Sequence, residues 1–185
     1  SEAAAIPDET NEVPLQGSLQ IDIVLASASP RRKQLLEDAG VCFRIFTVDT
    51  DETIEEDIYA QPHEAAKKLA ERKAGAVVQE VLATEHEGST VVIGADTMVV
   101  LGNAIFGKPR SVSEATGTLR KLSGKTHEVI TAVSVWMVTS TDDGNVSLGF
   151  RTFVDSSFVT FKSLTDETIS TYLRCGESFD KAGAY

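Results

Sequence analysis

The sequence predicts an α/β fold, and three stretches carry that prediction. An apolar run over residues 21–25 leads through the small residues Ala26 to Ser29 into a helix, the strand–loop–helix order of an α/β unit. Residues 62–83 read as one long amphipathic helix, and residues 90–94 follow as a continuous apolar run suited to a strand buried on both faces. Beyond residue 129 the pattern turns to β, with a strand over 129–138 and one or two more over 146–162 before a last helix.

Composition narrows the class. The 185 residues suit one domain, expected over 20–185. Residues 1–19 are acidic, alanine-rich and without apolar periodicity, and are read as a disordered leader. A net charge of −11 disfavours general binding to nucleic-acid backbones, which needs broad positive surface. A compact polyanion remains open to it, because Arg31-Arg32-Lys33 stands out against the acidic background. Cys42 and Cys175 lack metal-ligand spacing and are expected as buried thiols in a reducing compartment. No membrane span or signal peptide is legible, so the cytoplasm is the expected location.

The first helix opens with Ser29 as N-cap and Pro30 at its first position, and Gly40 supplies the stop. Arg31 and Arg32 then sit at the positive pole of the helix dipole, an unfavourable place for two guanidinium groups. Either both point into water, or an anion joins them with the loop N–H groups and the Ser27 hydroxyl. Residues 41–48 read as a second strand, followed by a solvated acidic loop. In the helix over 62–83, Ala66, Leu69, Ala70, Ala74, Val77 and Val81 share one arc. Lys73 lies inside that arc, so its ammonium either snorkels past the edge or points into a cleft.

After a polar loop over 85–89, the strand over 90–94 is expected to break at Ala95-Asp96-Thr97 and resume over 98–101. A carboxylate at such a break is costly unless paired or bound to a cation, which makes Asp96 the foremost catalytic candidate. Gly102-Asn103 joins that run to 104–106 as a hairpin. Residues 102–108 spell GNAIFGK, close to a phosphate-binding P-loop, but Pro109 stands where that motif needs a hydroxyl and no helix opens there. Ser111 and Glu114 form a capping box for a helix ending near 123–124. His127 at a strand start reads as structural. Phe150, Phe153, Phe158 and Phe161 read as core and sheet face, and Thr165 caps a helix to about residue 174.

Several ordered motifs resemble those of the Maf family of nucleotide pyrophosphatases: LASASPRRKQLL, VDTDE, LAERKA, GADTMVV, GKP, SGKTHEVITAV and DKAGAY. The resemblance spans residues 21–185 and implies an elongated mixed sheet with flanking helices in two lobes around a central cleft, similar to inosine triphosphatases. It implies hydrolysis of a nucleoside triphosphate to the monophosphate and pyrophosphate, a house-cleaning role in nucleotide metabolism, and a homodimer. On it, Glu52 belongs to the active site, Lys73 and Lys108 face the phosphates, and Thr97 after Asp96 marks the branch acting on dTTP and UTP. Ser178 replaces a family proline, which should loosen a turn, and the family's following Gly-x-Gln-Gly lies past Tyr185. That leaves either a shortened chain or one substrate contact fewer.

The residue types suit that chemistry. Arg31, Arg32, Lys73 and Lys108 would neutralise the phosphates, with Ser27 and Thr97 completing substrate binding. Glu52 and Asp96 are hard oxygen ligands for Mg2+ or Mn2+, and Asp96 would also activate water. The alternative is a non-catalytic nucleotide-binding regulator linked to cell division; a nucleic-acid scaffold is disfavoured by charge.

Overall fold

Among the described residues, one mixed sheet of six strands runs in the order β2-β1-β3-β5-β6, with β4 attached to β3. The computed structural model describes residues 20–84 and 87–185. The leader expected over 1–19, and Glu85 and His86 of the expected polar loop, lie outside them. β1 (Ile21–Leu25) lies parallel to both β2 (Arg44–Ile45) and β3 (Gly88–Leu101). β4 (Ala104–Phe106) and β5 (Thr126–Ser140) are antiparallel to β3, and β6 (Val146–Thr160) is antiparallel to β5. The strands of β5 and β6 hold 15 residues each, about 50 Å at the usual rise, which gives the sheet its elongation.

Helices cover the sheet on two sides. α3 (Pro62–Ala83) lies on one face and buries the whole arc read from its sequence, against Met98, Ile130 and Ala132 at one end and Val24, Val92 and Val138 at the other. α4 (Val112–Leu122) and α5 (Asp166–Arg174) form a second packed group with Val99, Phe106 and Ala184. Met98 and Val99 are neighbours in a strand and therefore point to opposite faces, so the two groups form lobes on opposite sides of the sheet. α1 (Pro30–Asp38) follows β1, with Ser29 Oγ accepting from the Arg32 N–H, and Gly40 at φ 73° ends it.

Several expectations change. The strand read over 41–48 shrinks to two residues: among the described residues its one strand neighbour is the short β1, and Ile45 and Phe46 stay exposed. The acidic loop contains a one-turn helix, α2 (Glu56–Tyr59). β3 does not break at Asp96: it pairs with Ala132 without interruption, since the carboxylate finds a cation. Cys42 and Cys175 are exposed free thiols, not buried ones. Over 146–162 there is one strand, β6, ending at Thr160, and Phe150, Phe153 and Phe158 are exposed on it, with no strand beyond β6 among the described residues; Phe161 joins the core. Of the capping box, Ser111 Oγ accepts from the Glu114 N–H, while the Glu114 carboxylate takes the N–H of Arg110. Ser178 sits fully buried in a 3-10 turn, Glu177–Asp180, with its hydroxyl unpaired among the described residues.

Candidate active site

A difference in strand length opens the site. β1 stops at Leu25, opposite Ile93, and the Ala26 N–H still donates to the Ile93 carbonyl at 2.8 Å. β4 does not begin to pair with β3 until Val99. Between them, among the described residues, that edge of β3 has no strand partner, and Ala95, Asp96 and Thr97 stand in the gap. A cleft of about 600 Å³ occupies it. Because the gap passes through the sheet, Asp96 on one face and Thr97 on the other both line the cleft.

Arg32 seals the open edge. Its Nη1 donates to Ser27 Oγ at 2.9 Å and to the freed Ala95 carbonyl at 3.1 Å, and its Nη2 donates to Thr97 Oγ1 at 3.1 Å. Thr97 Oγ1 lies 3.1 Å from Thr131 Oγ1 on β5. Burial pulls the Arg32 guanidinium below its usual range; Asp96 opposes that shift and Arg31 adds to it. Arg31 behaves differently. It is half-exposed and reaches Asp180, with Nη1 to Oδ2 and Nη2 to the carbonyl, both at 3.1 Å. That hydrogen bond holds the Asp180 carboxyl below the usual carboxylate range.

α3 supplies the third part. Lys73 leaves the buried arc and points into the cleft, where its Nζ lies 2.8 Å from Asp96 Oδ1 and 3.1 Å from Glu52 Oε1. The ammonium does not snorkel outward; it answers the nearly buried Asp96 charge. Lys108 is exposed in the loop after β4, at the cleft wall. All eight residues singled out in the sequence, Ser27, Arg31, Arg32, Glu52, Lys73, Asp96, Thr97 and Lys108, line this one cleft.

Asp180 and Lys181 of the wall were missed in the sequence. Both belong to the DKAGAY motif and face the cleft, Lys181 with its Nζ 3.6 Å from Asp180 Oδ1. The pairing of Asp180 with Arg31, 149 positions away, leaves no local signal. His127 stays outside the cleft wall; it is buried, and its Nε2 meets the Tyr185 hydroxyl at 2.5 Å.

The donor set bears on a metal. Glu52 and Asp96 converge on one ammonium, so their carboxylates already border one point in space. Among the described residues no group of three or more His, Cys, Asp or Glu is poised for a metal. Two carboxylates nonetheless fit a Mg2+-type ion, which commonly takes one or two of them and completes its shell with substrate phosphates and water.

Comparison with known proteins follows the same line. A family model described as "Maf-like protein" matches residues 22–185. A dTTP/UTP pyrophosphatase of Bacillus cereus (strain ATCC 14579) is 43% identical over 163 residues, 88% of this chain and 76% of its own length. A dTTP/UTP pyrophosphatase of Clostridioides difficile (strain 630) is 45% identical over 165 residues, 89% of this chain and 77% of its own. A crystal structure of a nucleoside-triphosphatase / dITP/XTP pyrophosphatase from Mycobacterium abscessus aligns with 84% of this chain and 94% of its own, at 13% identity and a TM-score of 0.34. That likeness is too distant to add weight.

Proposed function

The chain belongs to the Maf-like protein family, and from that premise we propose that it hydrolyses dTTP and UTP to the nucleoside monophosphate and pyrophosphate. One observation carries the reading: Arg31, Arg32, Lys73 and Lys108, with the carboxylates of Glu52 and Asp96, come from distant parts of the chain to border a single cleft.

The roles follow from charge and position. Lys108 at the open wall and Arg31 at the head of α1 meet the outer phosphates, where negative charge grows as pyrophosphate leaves. Arg32 and the Ser27 hydroxyl shape the loop that takes the phosphate nearest the sugar. Thr97, held between Arg32 and Thr131, meets the nucleotide on the far face of the gap. Water attacks the α-phosphorus and its proton passes to the Asp96 carboxylate; the bond from that phosphorus to the bridging oxygen breaks, and pyrophosphate departs. The contact with Lys73 Nζ at 2.8 Å holds the Asp96 carboxylate aimed for that task.

Glu52 and Asp96 are the residues that would hold Mg2+ or Mn2+. Held by these two carboxylates, such an ion would supply positive charge to offset the charge developing on the leaving group. The family resemblance further supports a homodimer working in the cytoplasm.

A panel of nucleoside triphosphates with Mg2+ or Mn2+, scored for released pyrophosphate, tests the reading. dTTP or UTP should head the panel, and Asp96→Asn should lower turnover by roughly 100-fold or more, the contribution typical of a general base. Cleavage of purine nucleotides alone would overturn the choice of base. Binding without release would make the chain a nucleotide-binding regulator instead.

A further inference from the structure

β6 is a long edge with few of the usual safeguards. Among the described residues it is the terminal strand of the sheet, and its ladder with β5 runs from Val146 to Thr160 in one unbroken register, without a bulge. It contains no proline and no lysine. Long edges of this kind expose a row of unpaired N–H and C=O groups, and proteins that stay monomeric blunt them with those devices. This one is also apolar: Phe153 is 55% exposed, Phe158 75%, and Leu148 49%.

The strand's charges show what fits there. β6 carries one cation, Arg151, and one carboxylate, Asp155, both exposed. Neither makes an ion pair among the described residues. Phe153 lies midway between them, and all three share one face of the strand.

Backbone groups along one strand edge point outward at every second residue, so two identical edges that pair antiparallel can only set residues of like parity opposite one another. The two-fold axis then passes beside a single residue. Centred on Arg151 or Asp155, it would set like charges face to face, which is destabilising. Centred on Phe153, it sets Arg151 opposite Asp155 of the other copy, twice over. The same register places Phe153 against its own copy and Leu148 against Phe158 on the other face.

We infer that β6 is the surface through which two copies of this chain associate, by antiparallel edge pairing centred on Phe153, so that the two sheets become one. The inference rests on the homodimer reading above and adds the surface and register.

The test is a sedimentation or light-scattering mass over a dilution series, on the full chain and three charge variants. The unaltered chain should run at twice its 19.9 kDa mass. Arg151→Asp and Asp155→Arg each set like charges opposite across the axis and should weaken association at least about tenfold. The double variant Arg151→Asp/Asp155→Arg restores opposite pairs and should regain the dimer. Pyrophosphate release per chain, scored on the same samples, should be unchanged, since neither residue borders the cleft. A monomeric unaltered chain would overturn both the dimer and this surface. A dimer indifferent to the single changes, or one the double variant fails to restore, would leave the dimer standing and overturn the surface. Loss of catalysis with the masses as expected would bear on the catalytic reading alone.

Discussion

Lys73 answers two carboxylates, and one of them is nearly buried. Removing one member of such a pair strands the other charge in a poor solvent, a larger loss than the pair's net worth. Lys73→Met should therefore destabilise the fold by about 3 kcal/mol, read as a lower urea midpoint, as well as slow turnover. A Lys73→Met chain as stable as the parent would mean that Asp96 has water enough without its partner. Arg31 and Arg32 illustrate what a sequence conceals at this scale. Adjacent and chemically identical, they looked equivalent. Their fates diverge because Arg32 finds Ser27, Ala95 and Thr97, while Arg31 finds Asp180, and these partners lie up to 149 positions away. The Arg31–Asp180 pair is half-exposed, and pairs of that kind contribute no more than about 1 kcal/mol. If nucleotide phosphate displaces Asp180 from Arg31, Asp180→Asn should lower KM for dTTP by up to about fivefold with kcat little changed. A raised KM would instead make Asp180 the residue that aims Arg31.

At the scale of elements, α3 rests on β3 with no space to spare. A Cβ at Gly94 would come within 2.7 Å of the Ala70 carbonyl oxygen and of the Ala74 N and Cβ. All three atoms belong to the helix that carries Lys73, and two of them are backbone. Gly94→Ala should push α3 off the sheet, cost about 2 kcal/mol in a thermal or urea melt, and reduce turnover by displacing the ammonium next to Ala74. An unchanged melt would show that the helix yields freely. The four longer helices were legible because their signals are local: Pro30, Pro62, Ser111 and Thr165 stand at their starts, and the apolar arc of α3 is complete. Strand ends were less so. β2 shrank because an edge position offers only as many rungs as its short neighbour, and β3 ran on through Asp96 because Lys73, 23 positions earlier, meets the charge. The cleft itself arises from β1 having five residues beside a β3 of fourteen, a mismatch visible only once the two are paired.

Across the whole molecule, the last ten residues tie the lobes together. Asp180 reaches α1, and Gly183, at φ 74°, lies where a Cβ would meet Val99 at 2.8 Å. Tyr185 reaches His127 on β5 and packs edge-on with Phe161. His127 is buried in that joint, and burial holds its imidazole below the ordinary value. The sign of the pH effect follows. Below about 6.5 the unfolded chain takes up a proton at this position while the folded chain does not, so the unfolded state binds more protons and stability falls as pH falls. The effect is absent above that value, where both states are neutral, and it stops growing once pH drops under the folded value. Asp180 and Glu128, whose carboxyls are lowered by Arg31 and His63, add their own loss only at more acidic pH, as each approaches the carboxylate range near 4. Urea midpoints taken from about pH 7.5 down to about pH 5.5 should therefore decline, and His127→Gln should flatten that decline while lowering stability throughout. If His127→Gln retained the full slope, the imidazole would have to be taking up its proton inside the fold, and the joint between the C-terminal turns and β5 would have to admit a charge.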